Sequence, residues 1–353
     1  MIVSSFMLGA VAVAVITHPI WGKKEEDNSP PATTDPHATF SRKSLLPRSK
    51  NFYDIVVVGS GIGGLLVAAL MARLQRKKVL VLEQHTNVGG CMHRFRIGDH
   101  VFESGGGVHY VGKLDAEMQA LLHAAAPNAT WPPAQGTCYD QVGVAGRITA
   151  HLRTGRRKWI GTVMSKARGR EERQAALAAI RELERAAEAA RWGALLKVVP
   201  HCLGRTTWRL LRLVERFTGW RLAPYYHRHT FNQAVAGAPE ACKKVMVAQS
   251  GNLGTGPGEA PAAMHAAMVK HFWGGAHVPD LDLLVKDMTA TIAAAGGQVV
   301  TNAMVQSITV VRGRACGVLV GQPNSSCFVS VGAREAVVVA TGLANTVKLL
   351  GED

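Results

Sequence analysis

The segment that most constrains the fold runs from Tyr53 to Glu83. A β-branched run, Ile55-Val56-Val57-Val58, leads directly into Gly59-Ser60-Gly61-Ile62-Gly63-Gly64 and then into an apolar stretch from Leu65 to Leu74. A run of that composition reads as a buried central strand of a parallel sheet, and the stretch after it as a helix packed on the sheet. The glycine spacing is G-x-G-x-x-G between strand and helix. Gly59 permits the tight turn, Gly61 lets backbone approach a pyrophosphate, and Gly64 lets the helix lie close on the strand. The helix start supplies N–H groups and a positive dipole end to phosphates. A second strand, Val79 to Leu82, ends in Glu83, 24 residues after Gly59 and placed to accept hydrogen bonds from a ribose diol. A carboxylate there repels the 2′-phosphate of NADP, so the expected adenosine belongs to FAD or NAD.

Beyond Glu83 comes Gln84-His85-Thr86-Asn87-Val88-Gly89-Gly90-Cys91. A glycine doublet at this distance provides side-chain-free backbone beside an extended dinucleotide, and it resembles the second fingerprint of FAD enzymes related to phytoene desaturases and amine oxidases. Further along, Cys91-Met92-His93-Arg94-Phe95, Phe102-Glu103-Ser104-Gly105 and Val108-His109-Tyr110-Val111-Gly112 follow in order. A second block holds Met264-His265-Ala266, His271, Gly274-Gly275, Pro279, Ala295-Gly296-Gly297 and Arg314-Ala315-Cys316-Gly317-Val318. Together these look like the all-trans-retinol 13,14-reductases, or retinol saturases, over most of Tyr53 to Leu350.

That resemblance implies an α/β fold: an FAD-binding Rossmann-type three-layer domain with an inserted mixed α+β substrate domain. It implies FAD as cofactor, NAD(P)H as a candidate electron donor, and an apolar retinoid or carotenoid substrate reduced at one double bond at an endoplasmic reticulum membrane. The implied cofactor residues are Gly59, Gly61, Gly63, Gly64, Glu83, Gly89, Gly90, Val305, at which relatives hold the adenine by backbone atoms, and Gly342 in an A-T-G element. Cys91, His93, His109 and Tyr110 are candidates to protonate the second alkene carbon. A carotenoid desaturase or isomerase is the alternative within the class, since fold and flavin do not fix reaction direction. A non-catalytic, membrane-associated remnant of the fold is the alternative outside it.

Two departures bear on these readings. Where relatives read G-G-x-x-x-P-x-G-G, this chain has Gly274-Gly275-Ala276-His277-Val278-Pro279-Asp280-Leu281-Asp282, so the second glycine pair is replaced by bulky and acidic residues. The family also continues past the position of Asp353 into a late glycine-rich motif, so these residues are expected to hold the adenosine half of the site and to show little reductase turnover.

The expected organisation is an apolar membrane anchor or signal over 1–21, a Pro-rich flexible linker over 22–50, a first FAD-binding part over 51–135, a substrate and membrane-facing domain over 136–275, and a second FAD-binding part over 276–353. Ile2 to Trp21, if helical, spans roughly 30 Å, about a bilayer's hydrocarbon thickness. Within the middle domain, Glu171 to Arg191 reads as an alanine-rich surface helix. Trp192 to Trp220 interleaves Leu, Trp and Phe with Lys197, Arg205, Arg209, Arg212 and Arg216, with Arg221 directly after, a composition suited to docking on lipid. The net charge of +15 favours anionic partners, but no nucleic-acid-binding motif accompanies it. The six cysteines are scattered with no C-x-x-C pair, so no metal site is expected.

Overall fold

The computed structural model describes residues 14–17, 38–39, 53–103, 111–112, 114, 116–132, 138–144, 147–198, 201–248, 255–256, 258–277, 279–323 and 328–351. It divides into two compact units, one drawn from 7–109, 116–130 and 279–353 and the other from 110–115 and 131–278.

The first unit is built on a sheet whose parallel centre is set by the β-branched runs. Strand β3 (Tyr53–Val58) leads through helix α1 (Ile62–Gln75) to β4 (Val79–Leu82), and the two strands pair in parallel. On the far side of β4 lies β11 (Gln298–Thr301), which follows helix α10 (Leu281–Ala294). On the other side of β3 lies the C-terminal half of β14 (Phe328–Val339). The N-terminal half of β14 forms an antiparallel meander with β12 (Met304–Val311) and β13 (Arg314–Gly321).

Strand alternation fills both sides of this sheet. Val56, Val58, Leu80, Leu82 and Val300 join one core cluster with Val305, Ile308 and Val318 of the meander, while Val57, Val79 and Val81 are also fully buried. Full burial of each such side chain contributes about 1.5 to 3 kcal/mol. Helix, sheet and meander make three layers, the α/β arrangement expected. The sequence pattern separates Cys327–Val331 from Glu335–Ala340, whereas the chain runs through both as one strand. A register shift between Ala333 and Ala336 lets β14 leave β13 and join β3 without a turn. The remaining elements of the unit are helix α2 (Ala116–Ala125), the hairpin β5 (Arg94–Ile97) with β6 (His100–Glu103), and helix α11 (Leu343–Leu350).

Two short strands fall where the sequence suggests an anchor and a linker. Ala14–Thr17 (β1) is extended and antiparallel to Ala336–Val339 of β14, and Ala38–Thr39 (β2) pairs in parallel with Val300–Thr301. At Ala14–Thr17 the helical expectation is therefore corrected: once β13 has diverged, that edge of β14 offers unpaired backbone groups, which an apolar Ala-Val-Ile-Thr segment satisfies. The rest of the expected anchor lies outside the described residues. Among the described residues no helix is long and apolar enough to cross a membrane.

The second unit holds the hairpin β8 (Cys138–Val144) with β9 (Arg147–Arg153), helices α3 (Arg156–Met164), α4 (Gly169–Val198), α5 (His201–Thr218), α6 (Ala223–Arg228), α7 (Phe231–Ala234), α8 (Glu240–Val247) and α9 (Ala262–Trp273), and the small pair β7 (Val111–Gly112) with β10 (Ala276–His277). Helix α4 corrects the surface-helix reading. Ala176, Ile180, Leu183, Ala186 and Ala190 recur at helical spacing and are buried in the core of this unit. Small residues let neighbouring backbones approach, so an alanine stripe that looks polar on average becomes the spine of the unit.

His265 on α9 is fully buried, its ring 4.0 Å from that of Phe231, and Nε2 lies 2.9 Å from the Met246 carbonyl oxygen. Burial lowers its pKa from 6.5 to about 4, against the opposing effect of that hydrogen bond. Between those values the unfolded chain binds a proton that the folded chain refuses, so stability is full above 6.5 and falls as pH drops toward 4. By pH 5 the loss should be about 2 kcal/mol, read as a lower urea midpoint. His265→Gln, which retains an N–H for the carbonyl, should remove this pH dependence; an unchanged slope in that variant would contradict the assignment.

Candidate functional site

Three segments of the first unit meet at the start of α1. Gly59 leaves β3 with φ +95° and its N–H donates to the Leu82 carbonyl at 2.8 Å. Gly61 caps α1, and a methyl group added there would meet nothing within 4 Å among the described residues. At Gly64 the same methyl would lie 2.0 Å from the Gly59 carbonyl oxygen. The two glycines thus do opposite work: Gly64 closes the turn on itself, while Gly61 keeps open the space in front of the helix, where unpaired N–H groups gather. Gly63 is buried in the first turn of the helix.

The second segment is the doublet. Gly90 has φ +57°, and a methyl group on it would stand 2.9 Å from the Gly61 Cα. The doublet therefore needs glycine for close approach to the first loop itself. The two loops are also tied by Ser60, a residue the motif treats as variable. Ser60 is fully buried; its N–H and hydroxyl donate to Glu83 Oε2 at 2.9 and 2.6 Å, and its Oγ accepts the Gly89 N–H at 3.1 Å. Glu83 is itself buried at the end of β4, and its Oε1 accepts the His85 N–H at 2.9 Å. Ser60 is the functional residue that motif reading missed; its hydroxyl in a strand-to-helix turn was the available signal.

The third segment is the return of β14. Ala340 donates its N–H to the Val58 carbonyl at 2.8 Å, and Gly342, with φ +89°, caps α11. Thr341 places its methyl near Gly59, while its Oγ1 is buried with no partner among the described residues. Val305 sits in β12 opposite Val320, two residues after Ala303, whose N–H donates to the Glu83 carbonyl at 2.7 Å. All nine expected cofactor residues thus lie in one unit. The open ground at Gly61, the helix start, the buried carboxylate and the orphaned Thr341 hydroxyl suit the pyrophosphate and ribose of a dinucleotide.

The candidate proton donors are less united. Cys91 is an exposed free thiol. His93 Nδ1 lies 2.6 Å from the Gly90 carbonyl oxygen, so its ring helps hold the doublet. His109 and Tyr110 lie outside the described residues. The residues that replace the second glycine pair have structural employment: Leu281 is buried in α10 and Asp282 pairs with Arg94 at 3.0 Å, while Asp280 just before them accepts the Leu283 N–H at 3.1 Å as the N-cap of the helix. Such a cap stabilises a helix by about 1 kcal/mol.

Comparison with known proteins agrees with this geometry. Residues 57–124 match the NAD(P)-binding Rossmann-like domain family. The chain is 31% identical over 309 residues to the all-trans-retinol 13,14-reductase of Rattus norvegicus, covering 83% of this chain and 48% of that protein. It is 52% identical over 61 residues to an inactive all-trans-retinol 13,14-reductase of Danio rerio, covering 17% of this chain and 10% of that protein. The chain spans about half the length of the curated retinol reductases it matches over most of its own length. Among solved structures, an oxidoreductase from Methanosarcina mazei superposes with a TM-score of 0.58 at 16% identity, covering 84% of this chain and 61% of that one. The resemblance to the retinol saturases and the Rossmann-type α/β fold read from the sequence are both borne out.

Proposed function

We propose that this chain holds FAD in a flavin-dependent oxidoreductase that saturates one C=C bond of a retinoid at the endoplasmic reticulum membrane. The observation that carries the flavin part is the apposition of Gly90 on Gly61, which lays the second glycine loop against the first at the start of α1. Glu83 disfavours a 2′-phosphate at its end of that site, which argues for FAD over NADP. NAD(P)H then enters only as a candidate electron donor. Similarity to the retinol reductases supports the retinoid substrate.

Within that reading, Glu83 and the Val305 segment hold the adenosine, and the α1 start takes the pyrophosphate. The Thr341 hydroxyl at the mouth of the β14 turn offers a hydrogen bond to the bound group. FAD, when bound, supplies the hydride for the alkene. The chain contributes orientation and a proton, for which Cys91, His93, His109 and Tyr110 are the proposed sources.

The test is a single turnover. The FAD-loaded protein is reduced without oxygen, all-trans-retinol is added, and flavin reoxidation and 13,14-dihydro product are followed together. Product formed in step with reoxidation would bear out the reductase reading and overturn the expectation of little turnover drawn from the sequence. Retinol recovered unchanged beside retained FAD would contradict the reductase reading and favour a non-catalytic chain, the reading in line with the inactive relative.

A further inference from the structure

Helix α5 carries three different faces. Gly204 is buried, and Trp208 packs on the core of its unit with its ring 5.3 Å from that of His227, so this face points inward. On the opposite side Leu203, Leu210, Leu213 and Phe217 recur at intervals of seven, three and four residues and are 56, 59, 50 and 80% exposed. Beside that apolar row runs a second exposed row, Arg209, Arg212 and Arg216, at intervals of three and four.

The arginine row lines a groove of about 630 Å³ together with Trp220 and Tyr225. One acid lies in the groove, and it is spent. The Glu215 side chain is 8% exposed; its carboxylate accepts the N–H groups of Leu222 and Tyr225 at 3.1 and 2.7 Å and pairs with Arg228 at 2.7 Å. Arg221 is engaged by Glu182 at 3.2 Å. Arg209, Arg212 and Arg216 have no acid partner among the described residues.

We infer that this face of α5 docks on an anionic phospholipid monolayer, with headgroup phosphates in the arginine groove and the Leu203 to Phe217 row among the acyl chains. Guanidinium groups match phosphate oxygens in pairs, which fits the charged row. Duplex nucleic acid would leave the apolar row in water. A second copy of the chain would bring like charges together on a protein already at +15. The inference rests on the membrane location proposed above and gives it a surface. It fails independently of the flavin chemistry, because a protein that retains FAD but ignores lipid charge overturns this point alone.

The experiment uses the full FAD-loaded chain and vesicles of phosphatidylcholine with or without phosphatidylserine. Phosphatidylserine should strengthen binding about 100-fold at low salt, roughly fivefold for each of the three arginines, with the gain shrinking as salt is raised. Arg209→Ser, Arg212→Ser and Arg216→Ser combined should remove that gain, and Leu213→Ser with Phe217→Ser should weaken binding to both vesicle types. All five side chains are exposed, so melting temperatures should be unchanged. A triple variant that keeps the full gain overturns the proposal. So does a Leu213 and Phe217 variant that binds vesicles as the parent does, which marks a general polyanion site, or a parent dimer that this variant dissolves, which marks a self-association face.

Discussion

Gly64→Ala should lower stability by about 2 to 4 kcal/mol and weaken dinucleotide binding, whereas Gly61→Ala should leave stability unchanged and weaken binding alone. The contrast follows from what a methyl group meets. At Gly64 it lies 2.0 Å from a backbone oxygen of Gly59 and 3.2 Å from the Ala340 Cβ, so the turn must open or α1 must lift from β3 and β14. Strain of that kind in a packed core costs a few kcal/mol, and a chain of this size should melt roughly 3 to 5 °C lower. At Gly61 the methyl projects into unoccupied ground. Among the described residues it meets no neighbour there, so its effect falls on whatever approaches the helix start. Thermal melts and dinucleotide titrations of the two variants check this; equal melting losses would mean that Gly61 serves the fold and not a ligand.

Glu83→Ala should be nearly as damaging for a different reason. Its carboxylate accepts three hydrogen bonds, two from Ser60 and one from His85, inside the protein. Removing it leaves these donors without an acceptor and should cost about 2 to 4 kcal/mol of stability. Glu83→Gln retains one acceptor and should chiefly weaken dinucleotide binding, by about 1 to 3 kcal/mol through loss of a charge-assisted bond to ribose. Ser60→Ala should fall between them, because it unties Gly89 from Glu83 while leaving the Ser60 N–H in place. Calorimetric titration with FAD separates the three; full affinity in Glu83→Gln would remove the carboxylate from the site.

Much of this site was legible because its signals are local. A β-branched run, a glycine turn and a helix are consecutive in the chain, and Glu83 ends the very next strand. What the sequence hid depends on pairs distant in the chain. Ser60 matters through Glu83 and Gly89, 23 and 29 residues away, and Gly90 needs to be glycine because Gly61 lies against it. Asp282 reads as a loss from a motif, yet it pairs with Arg94 beside the Asp280 cap of the same helix. Helix α4 was misread because mean polarity hides a stripe of alanines, and Ala14–Thr17 because an apolar run suits a sheet edge as well as a bilayer.

The central claim is that the site built by the two glycine loops at the start of α1 takes FAD. Its most direct test is titration of the purified, cofactor-stripped chain with FAD, NAD and NADP, following flavin absorbance and fluorescence for the first and heat for the others. FAD should bind more tightly than NAD, with a perturbed flavin spectrum, and NADP most weakly, and Gly61→Leu should lose the FAD signal. Binding of NAD or NADP in preference to FAD, or FAD binding that survives Gly61→Leu, would contradict the account.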